Sequence, residues 1–165
     1  MTKKRVYLRP LKVKDAYVSY KWRNDPEIWK CAKNKPDRYI TIKMEKDWIK
    51  KVLADDRSVR RAICIAKNNT YIGNVYLTGI NKRLESAETH IFIGDKKYWG
   101  KGFGTQAVKE IIKYAFEVLK LKKIDAEVNP KNVSIIKINK KCGLAYVDKP
   151  QERAKMVHMV LVNSR

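Results

Sequence analysis

Apolar positions change period repeatedly along this chain, and each change predicts an element. VYLRPL, residues 6–11, reads as a first strand, with Pro10 marking its end. Residues 14–23 read as a helix stopped by Asn24-Asp25-Pro26, because the residue before a proline is pushed out of the helical region. Residues 26–31 read as one further short helix. Met44, Trp48, Ile49, Val52 and Leu53 recur at helical spacing, with Thr41 as their candidate cap. RAICIAK and YIGNVYLTGI, joined by Asn68-Asn69, form a hairpin signal, and ETHIFIG over 88–94 gives another strand after a charged loop. The strongest helix spans 105–119, where Ala107, Val108, Ile111, Ile112, Ala115, Phe116 and Leu119 fall on one stripe. A strand at 124–128, a helix at 133–141 and strands near 145–147 and 156–162 complete the pattern. Their order predicts an α/β fold with a mixed sheet, expected as one domain over 1–165.

Composition narrows the class. The chain has 44% hydrophobic and 33% charged residues, the balance of a soluble globular protein rather than a disordered one. No apolar run approaches the roughly 20 residues that a membrane span needs, and the basic opening lacks the apolar stretch of a secretory signal. Cys31, Cys64 and Cys142 are odd in number and far apart, which argues against a disulfide framework. A cytoplasmic protein is expected. The net charge of +21 draws anionic partners of any kind, but its 28 lysines and 10 arginines are dispersed and select none of them. A basic nucleic-acid-binding module is the non-enzyme alternative. It lacks a recognition-helix, zinc-finger or RNA-recognition signature, and it leaves the glycines of YWGKGFGTQA without a role.

Those glycines invite three phosphate-binding readings. A Walker loop places four residues between its first glycine and Gly-Lys, followed by Ser or Thr; here five residues separate Gly94 from Gly100-Lys101, and Gly102 follows. A dinucleotide fingerprint wants G-x-G-x-x-G in a βαβ unit, whereas Gly100, Gly102 and Gly104 give G-x-G-x-G after strands that look mostly antiparallel. The third reading is local: a strand ends, a glycine turn follows, and a helix opens near Thr105. Unpaired amides and the helix dipole at such a start suit a pyrophosphate, with Lys101 adding charge at the rim.

On these residues the chain resembles the Gcn5-related N-acetyltransferases (the GNAT superfamily), in particular the branch that acetylates ribosomal proteins and amino sugars. The family's Gln/Arg-x-x-Gly-x-Gly/Ala loop, which binds the pyrophosphate of acetyl-CoA, is similar to Trp99, Gly100, Lys101, Gly102, Phe103 and Gly104 here. NVSIIKINKKCGL, residues 132–144, resembles a second family segment, and LRPLKVKDA and WIKKVL…IGNVYL extend the likeness over nearly the whole chain. The resemblance implies a mostly antiparallel sheet of six or seven strands, flanked by helices and splayed at its centre to hold acetyl-CoA. It implies that Ile91, Phe92 and Ile93 pair by backbone with the pantetheine arm, and that the amide of Ile93 polarises the acetyl carbonyl. Such a reaction gains most from positioning and from donors aimed at the oxyanion, so no nucleophilic side chain is required.

The incoming ammonium must still lose a proton. Family members of this branch often carry a glutamate on that strand, which makes Glu88 the first candidate base. Alternation puts His90 on the same face as second candidate, with a pKa suited to neutral pH. The tyrosine that many members use to protonate the departing thiolate is matched by Asn139, which cannot serve as an acid. Asn132 is expected to contact the cofactor, to cap its helix, or both. Cys142, at a helix C-terminus where the dipole disfavours a thiolate, is expected to pack rather than react. The histidines and cysteines show no metal-ligand spacing, so no metal is expected. The acceptor is expected to be a small-molecule amine meeting Trp22, Arg23, Asn24 and Trp29. By resemblance this is an amino sugar, favoured in nucleotide-linked form by the basic charge; a protein N-terminus is the alternative acceptor. Sheet-edge pairing leaves monomer and homodimer both open.

Overall fold

The computed structural model describes residues 5–32, 35–149 and 154–164. Its strands are β1 (Val6–Pro10), β2 (Val59–Ile65), β3 (Tyr71–Asn81), β4 (Ser86–Ile93), β5 (Lys123–Val128), β6 (Ala145–Tyr146) and β7 (Val157–Val162). They form one seven-stranded sheet in the order β1-β2-β3-β4-β5-β7-β6. Four helices flank it: α1 (Ala16–Arg23), α2 (Ile42–Leu53), α3 (Phe103–Glu117) and α4 (Val133–Lys141). This is the mixed, mostly antiparallel α/β fold expected from the sequence.

Three local readings shift. A 3-10 turn, Val13–Asp15, leads into α1. Residues 26–31 form turns rather than a short helix. The glycine-loop helix α3 starts at Phe103, two residues before Thr105, with Gly102 as its N-cap at φ 83°. The cap of α2 is as expected: Met44 N donates to Thr41 Oγ1 at 3.2 Å.

One junction decides what this sheet can do. Every neighbouring pair is antiparallel except β4 and β5, which run parallel over Ser86–Glu88 and Lys123–Asp125 only. β4 continues to Ile93 and β5 to Val128, so the two strands diverge beyond Glu88 and open a wedge in the sheet. On one face, the α3 stripe of Ala107, Val108, Ile111, Ile112 and Ala115 packs over Ile63, Val75, Leu77, Ala87 and Ile124 in the main core. Gly104 brings α3 close to its neighbours: a Cβ there would lie 2.9 Å from Ile138 Cδ1 and 3.6 Å from Ile91 Cδ1.

The opposite face carries a smaller core of Leu11, Ala16, Ile49, Ala62 and Cys64. Two polar links hold its helices. Arg9 donates to both carboxylate oxygens of Asp15, at 2.8 and 2.7 Å, and Lys12 N donates to Asp15 Oδ2 at 2.8 Å. Ser19 Oγ on α1 donates to Glu45 Oε1 on α2 at 2.7 Å. Burial raises the Glu45 carboxyl above its ordinary range, an effect that the Ser19 bond and the Arg23 charge oppose.

Candidate active site

A cleft of about 820 Å³ occupies the wedge between β4 and β5. Its outer half is lined by Trp99, Gly100, Gly102, Gly104 and Thr105 from the glycine turn and α3, and by Asn132, Ile135, Ile138 and Asn139 from α4. Its inner half is lined by β4 residues, with Glu27, Trp29, Cys31, Tyr76 and Glu127.

Register fixes what β4 offers. Gly94 N donates to Ile72 O at 2.8 Å, and antiparallel pairs alternate between bonded and non-bonded. His90 and Phe92, opposite Tyr76 and Asn74, therefore spend their peptide groups on β3, while Ile91 and Ile93 turn theirs toward the wedge. The expectation for Phe92 is corrected accordingly: its backbone pairs with β3, and only its side chain can face a ligand. The carbonyl of Ile93 already accepts a bond from Trp99 Nε1 at 2.7 Å, which fixes the indole at the mouth and leaves the Ile93 amide facing inward.

The glycines of the turn divide two tasks. Gly100 and Gly102 sit at φ +70° and +83°, a region costly for other residues, and among the described residues nothing beyond their chain neighbours lies within 4 Å of where their Cβ atoms would be. That open backbone precedes the free amides of the first turn of α3, an arrangement that fits a pyrophosphate. Gly104 is instead a packing glycine. Lys101 and Phe103 do not line the cleft. Phe103 is buried edge-on to Tyr98, with the Arg5 guanidinium 4.1 Å from its ring centroid. Arg5 also donates to Lys101 O at 2.9 Å, so these two residues brace the turn from behind.

Asn132 caps α4, its Oδ1 accepting from Ile135 N at 3.3 Å, and it also lines the cleft. Asn139 lines the cleft and is buried, its Nδ2 turned to Met159 Sδ at 3.8 Å. Burial pushes the Cys142 thiol up to about 11, in keeping with a packing role. On α4, Lys137 and Lys141 also line the outer half. Their helical spacing of four was the available signal for a cationic rim.

Glu88 and His90 converge on the other face of β4. Glu88 Oε1 lies 3.6 Å from His90 Nε2, and the same nitrogen is 2.8 Å from Thr78 Oγ1. The imidazole stacks on Tyr76, with centroids 5.0 Å apart at 17°. Burial, aided by the Arg60 charge, lowers the His90 pKa from 6.5 to about 4. The expectation that His90 is matched to neutral pH is thus overturned: it is neutral there and a weak base. Because the unfolded chain takes up this proton first, His90 contributes stability that is present above pH 6.5 and lost as pH falls toward 4. His90→Gln should therefore lose less thermal stability than wild type between pH 7 and pH 5, as followed by thermal unfolding.

Of the four residues expected to meet the acceptor, one lines the cleft and three do not. Trp29 lines the cleft, packed against Phe92 at 5.4 Å between centroids. Trp22, Arg23 and Asn24 do not. Trp22 is buried beneath Gly94, where a Cβ would lie 2.0 Å from the indole. Arg23 lies 4.7 Å from the Trp29 ring centroid and 5.1 Å from that of Trp48, with its Nε 3.6 Å from Glu45. Asn24 closes a turn, donating to Ile40 O and accepting from Ile40 N, each at 2.8 Å. These three build the wall behind the site. Sequence reasoning also missed Thr89, which lines the cleft while its Oγ1 is buried with no hydrogen-bond partner among the described residues.

A splayed sheet with a free strand edge, facing a glycine turn that opens a helix, defines an acyl-CoA-dependent transferase. Residues 5–145 match the acetyltransferase (GNAT) domain, and the chain belongs to that family. It is 32% identical over 148 residues to the probable N-acetyltransferase YjcK of Bacillus subtilis, covering 85% of this chain and 80% of that protein. It is 30% identical over 119 residues to the acetyltransferase PseH of Campylobacter jejuni, covering 72% and 69%. In fold it matches the spermidine N-acetyltransferase from Vibrio cholerae solved with CoA and spermine, with a TM-score of 0.84 at 24% identity over 96% of this chain and 95% of that one. The protein is an N-acetyltransferase that uses acetyl-CoA as cosubstrate. Among the described residues, no helix is long and apolar enough to cross a membrane.

Proposed function

We propose that the chain moves an acetyl group from acetyl-CoA to a primary amine by direct attack in a ternary complex, and that the acceptor is an amino sugar, favoured in nucleotide-linked form. The observation that carries the direct transfer is the inward-facing edge of β4, at Ile91 and Ile93, on the same strand as Glu88. In this reading the glycine turn holds the pyrophosphate, Ile93 pairs with the pantetheine arm, and the next inward amide, that of Ile91, donates to the oxygen of the acetyl carbonyl as negative charge develops there. Glu88 takes the proton of the attacking ammonium, directly or through one water. His90, neutral beside it with its Nε2 engaged by Thr78 Oγ1, does not compete for the proton.

The acceptor half rests on Trp29, which offers a half-buried indole to a sugar ring, and on the net charge of +21, which attracts a diphosphate and repels a polycation. A polyamine is the second reading. Its support is the set of carboxylates along the inner half, Glu27, Glu88 and Glu127, together with the shared fold of an enzyme described with spermine.

Thermal unfolding with and without acetyl-CoA tests the cosubstrate site, using wild type and Gly102→Trp. Acetyl-CoA at 100 times its dissociation constant should stabilise wild type by about 2.7 kcal/mol. Gly102→Trp should fold with a lower midpoint, because an L residue is strained at φ +83°, and should show no shift. Steady-state acetylation of a nucleoside-diphosphate amino sugar and of spermidine then separates the acceptors. A kcat/KM higher for spermidine would replace the amino-sugar reading with the second one.

A further inference from the structure

Thr89 sits where the wedge closes. Pairing between β4 and β5 ends at Glu88 and Asp125, so Thr89 is the first β4 residue beyond the junction. It is only 6% exposed, yet it lines the cleft, and its hydroxyl has no hydrogen-bond partner among the described residues. A buried hydroxyl without a partner is costly, and natural proteins keep few of them without reason. Its direction is also informative. Side chains alternate along a strand, so Thr89 shares a face with Ile91, the face on which α3 and α4 converge around Gly104. Asn139 approaches from that same side, but its Nδ2 is turned to Met159 Sδ at 3.8 Å. An arm laid along Ile93 and then Ile91, entering from the glycine turn, brings its sulfur end inward toward the next residue of that row, Thr89.

We propose that the Thr89 hydroxyl donates a hydrogen bond to the sulfur of CoA and holds the thiolate as it leaves. This rests on the acetyl-CoA reading above. In the step, the amine nitrogen bonds to the acetyl carbon and the carbon–sulfur bond breaks. The electron pair departs on sulfur; Glu88 holds the proton that the ammonium gave up before attack, and the second nitrogen proton, shed as the tetrahedral intermediate collapses, passes to solvent water. Thr89 keeps its own proton: an aliphatic hydroxyl is too weak an acid to give it up, but it can donate to S⁻. This places a donor where the late-helix position, Asn139, supplies no acid.

The test compares CoA with desulfo-CoA, in which hydrogen replaces the thiol, by calorimetric binding to wild type, Thr89→Val and Thr89→Ser. Wild type should bind CoA roughly tenfold more tightly than desulfo-CoA at a pH where the bound thiol is ionised, as a hydrogen bond to a charged group implies. Thr89→Val should bind the two alike, and Thr89→Ser should restore the difference. The thiolate absorbance of bound CoA should appear at lower pH in wild type than in Thr89→Val, which a packing role would not produce. Undiminished discrimination by Thr89→Val overturns the proposal alone. Failure of wild type to bind either nucleotide overturns the acetyl-CoA reading as well. Removing an unpartnered hydroxyl should leave the midpoint of the free protein unchanged or higher. If Thr89→Val does not fold, Thr89→Ala takes its place, and equal discrimination by wild type and Thr89→Ala overturns the proposal.

Discussion

Glu88→Gln should lower kcat by about 10²–10⁴-fold, the range typical of losing a general base, while leaving the affinity for acetyl-CoA within a few-fold of wild type. The split follows from the two rows of β4. The side chain of Glu88 lies on the face shared with His90 and Tyr76, whereas acetyl-CoA is proposed to run along the inward peptide groups of Ile91 and Ile93. Glutamine keeps the size of the side chain and its place near Thr78 and His90 but cannot accept a proton. The rate that remains should rise with pH, because at higher pH more of the acceptor arrives already deprotonated. A variant that kept kcat and instead weakened acetyl-CoA would show that Glu88 shapes the cofactor wall and that the base lies elsewhere. His90 would then be a poor replacement, since burial holds it near 4.

Asp15→Ala should be the most destabilising of the substitutions considered, by about 3–5 kcal/mol, a large part of the total stability of a domain. Asp15 is 5% exposed and closes the turn into α1 by accepting from Arg9 twice and from Lys12 N once. Its loss leaves the Arg9 guanidinium partly buried, beside the Tyr71 ring at 5.5 Å, with its bidentate partner gone. Asp15→Asn should lose less, because one of the Arg9 bonds and the Lys12 bond can persist. Chemical denaturation of the three proteins measures this directly. Equal stability of wild type and Asp15→Ala would mean that the small core of Leu11, Ala16 and Ile49 holds α1 in place without the pair.

What the sequence discloses here is local. The hairpin of β2 and β3, the stripe of α3 and the cap of α4 each need only neighbours within a few residues, and all three appear as the periodicity predicts. The glycine turn is legible for the same reason, since left-handed backbone and a helix start are properties of the segment itself. Side-chain direction in an irregular stretch is not. Trp22-Arg23-Asn24 reads as an aromatic and polar wall, yet Gly94, some seventy residues away, covers Trp22, and Glu45 on another helix takes up Arg23. His90 carries the same lesson. Its ordinary pKa is a property of imidazole; its depressed one comes from Tyr76 and Arg60, which only the folded sheet brings near. Thr89 was invisible because a missing partner is a statement about everything around it.

The sharing of β4 by two walls has a thermodynamic consequence. Ile91 and Ile93 face the wedge with their peptides, while the intervening Phe92 presents its ring to Trp29 and Trp22 on the other side. A molecule that straightens or tightens this strand from one side therefore alters the aromatic surface that the other molecule meets. Whatever factor acetyl-CoA imposes on acceptor affinity, the acceptor must return to acetyl-CoA, because the binding free energies close a cycle. An ordered sequence of addition would then be one face of a single reciprocal quantity, seated in a strand segment three residues long.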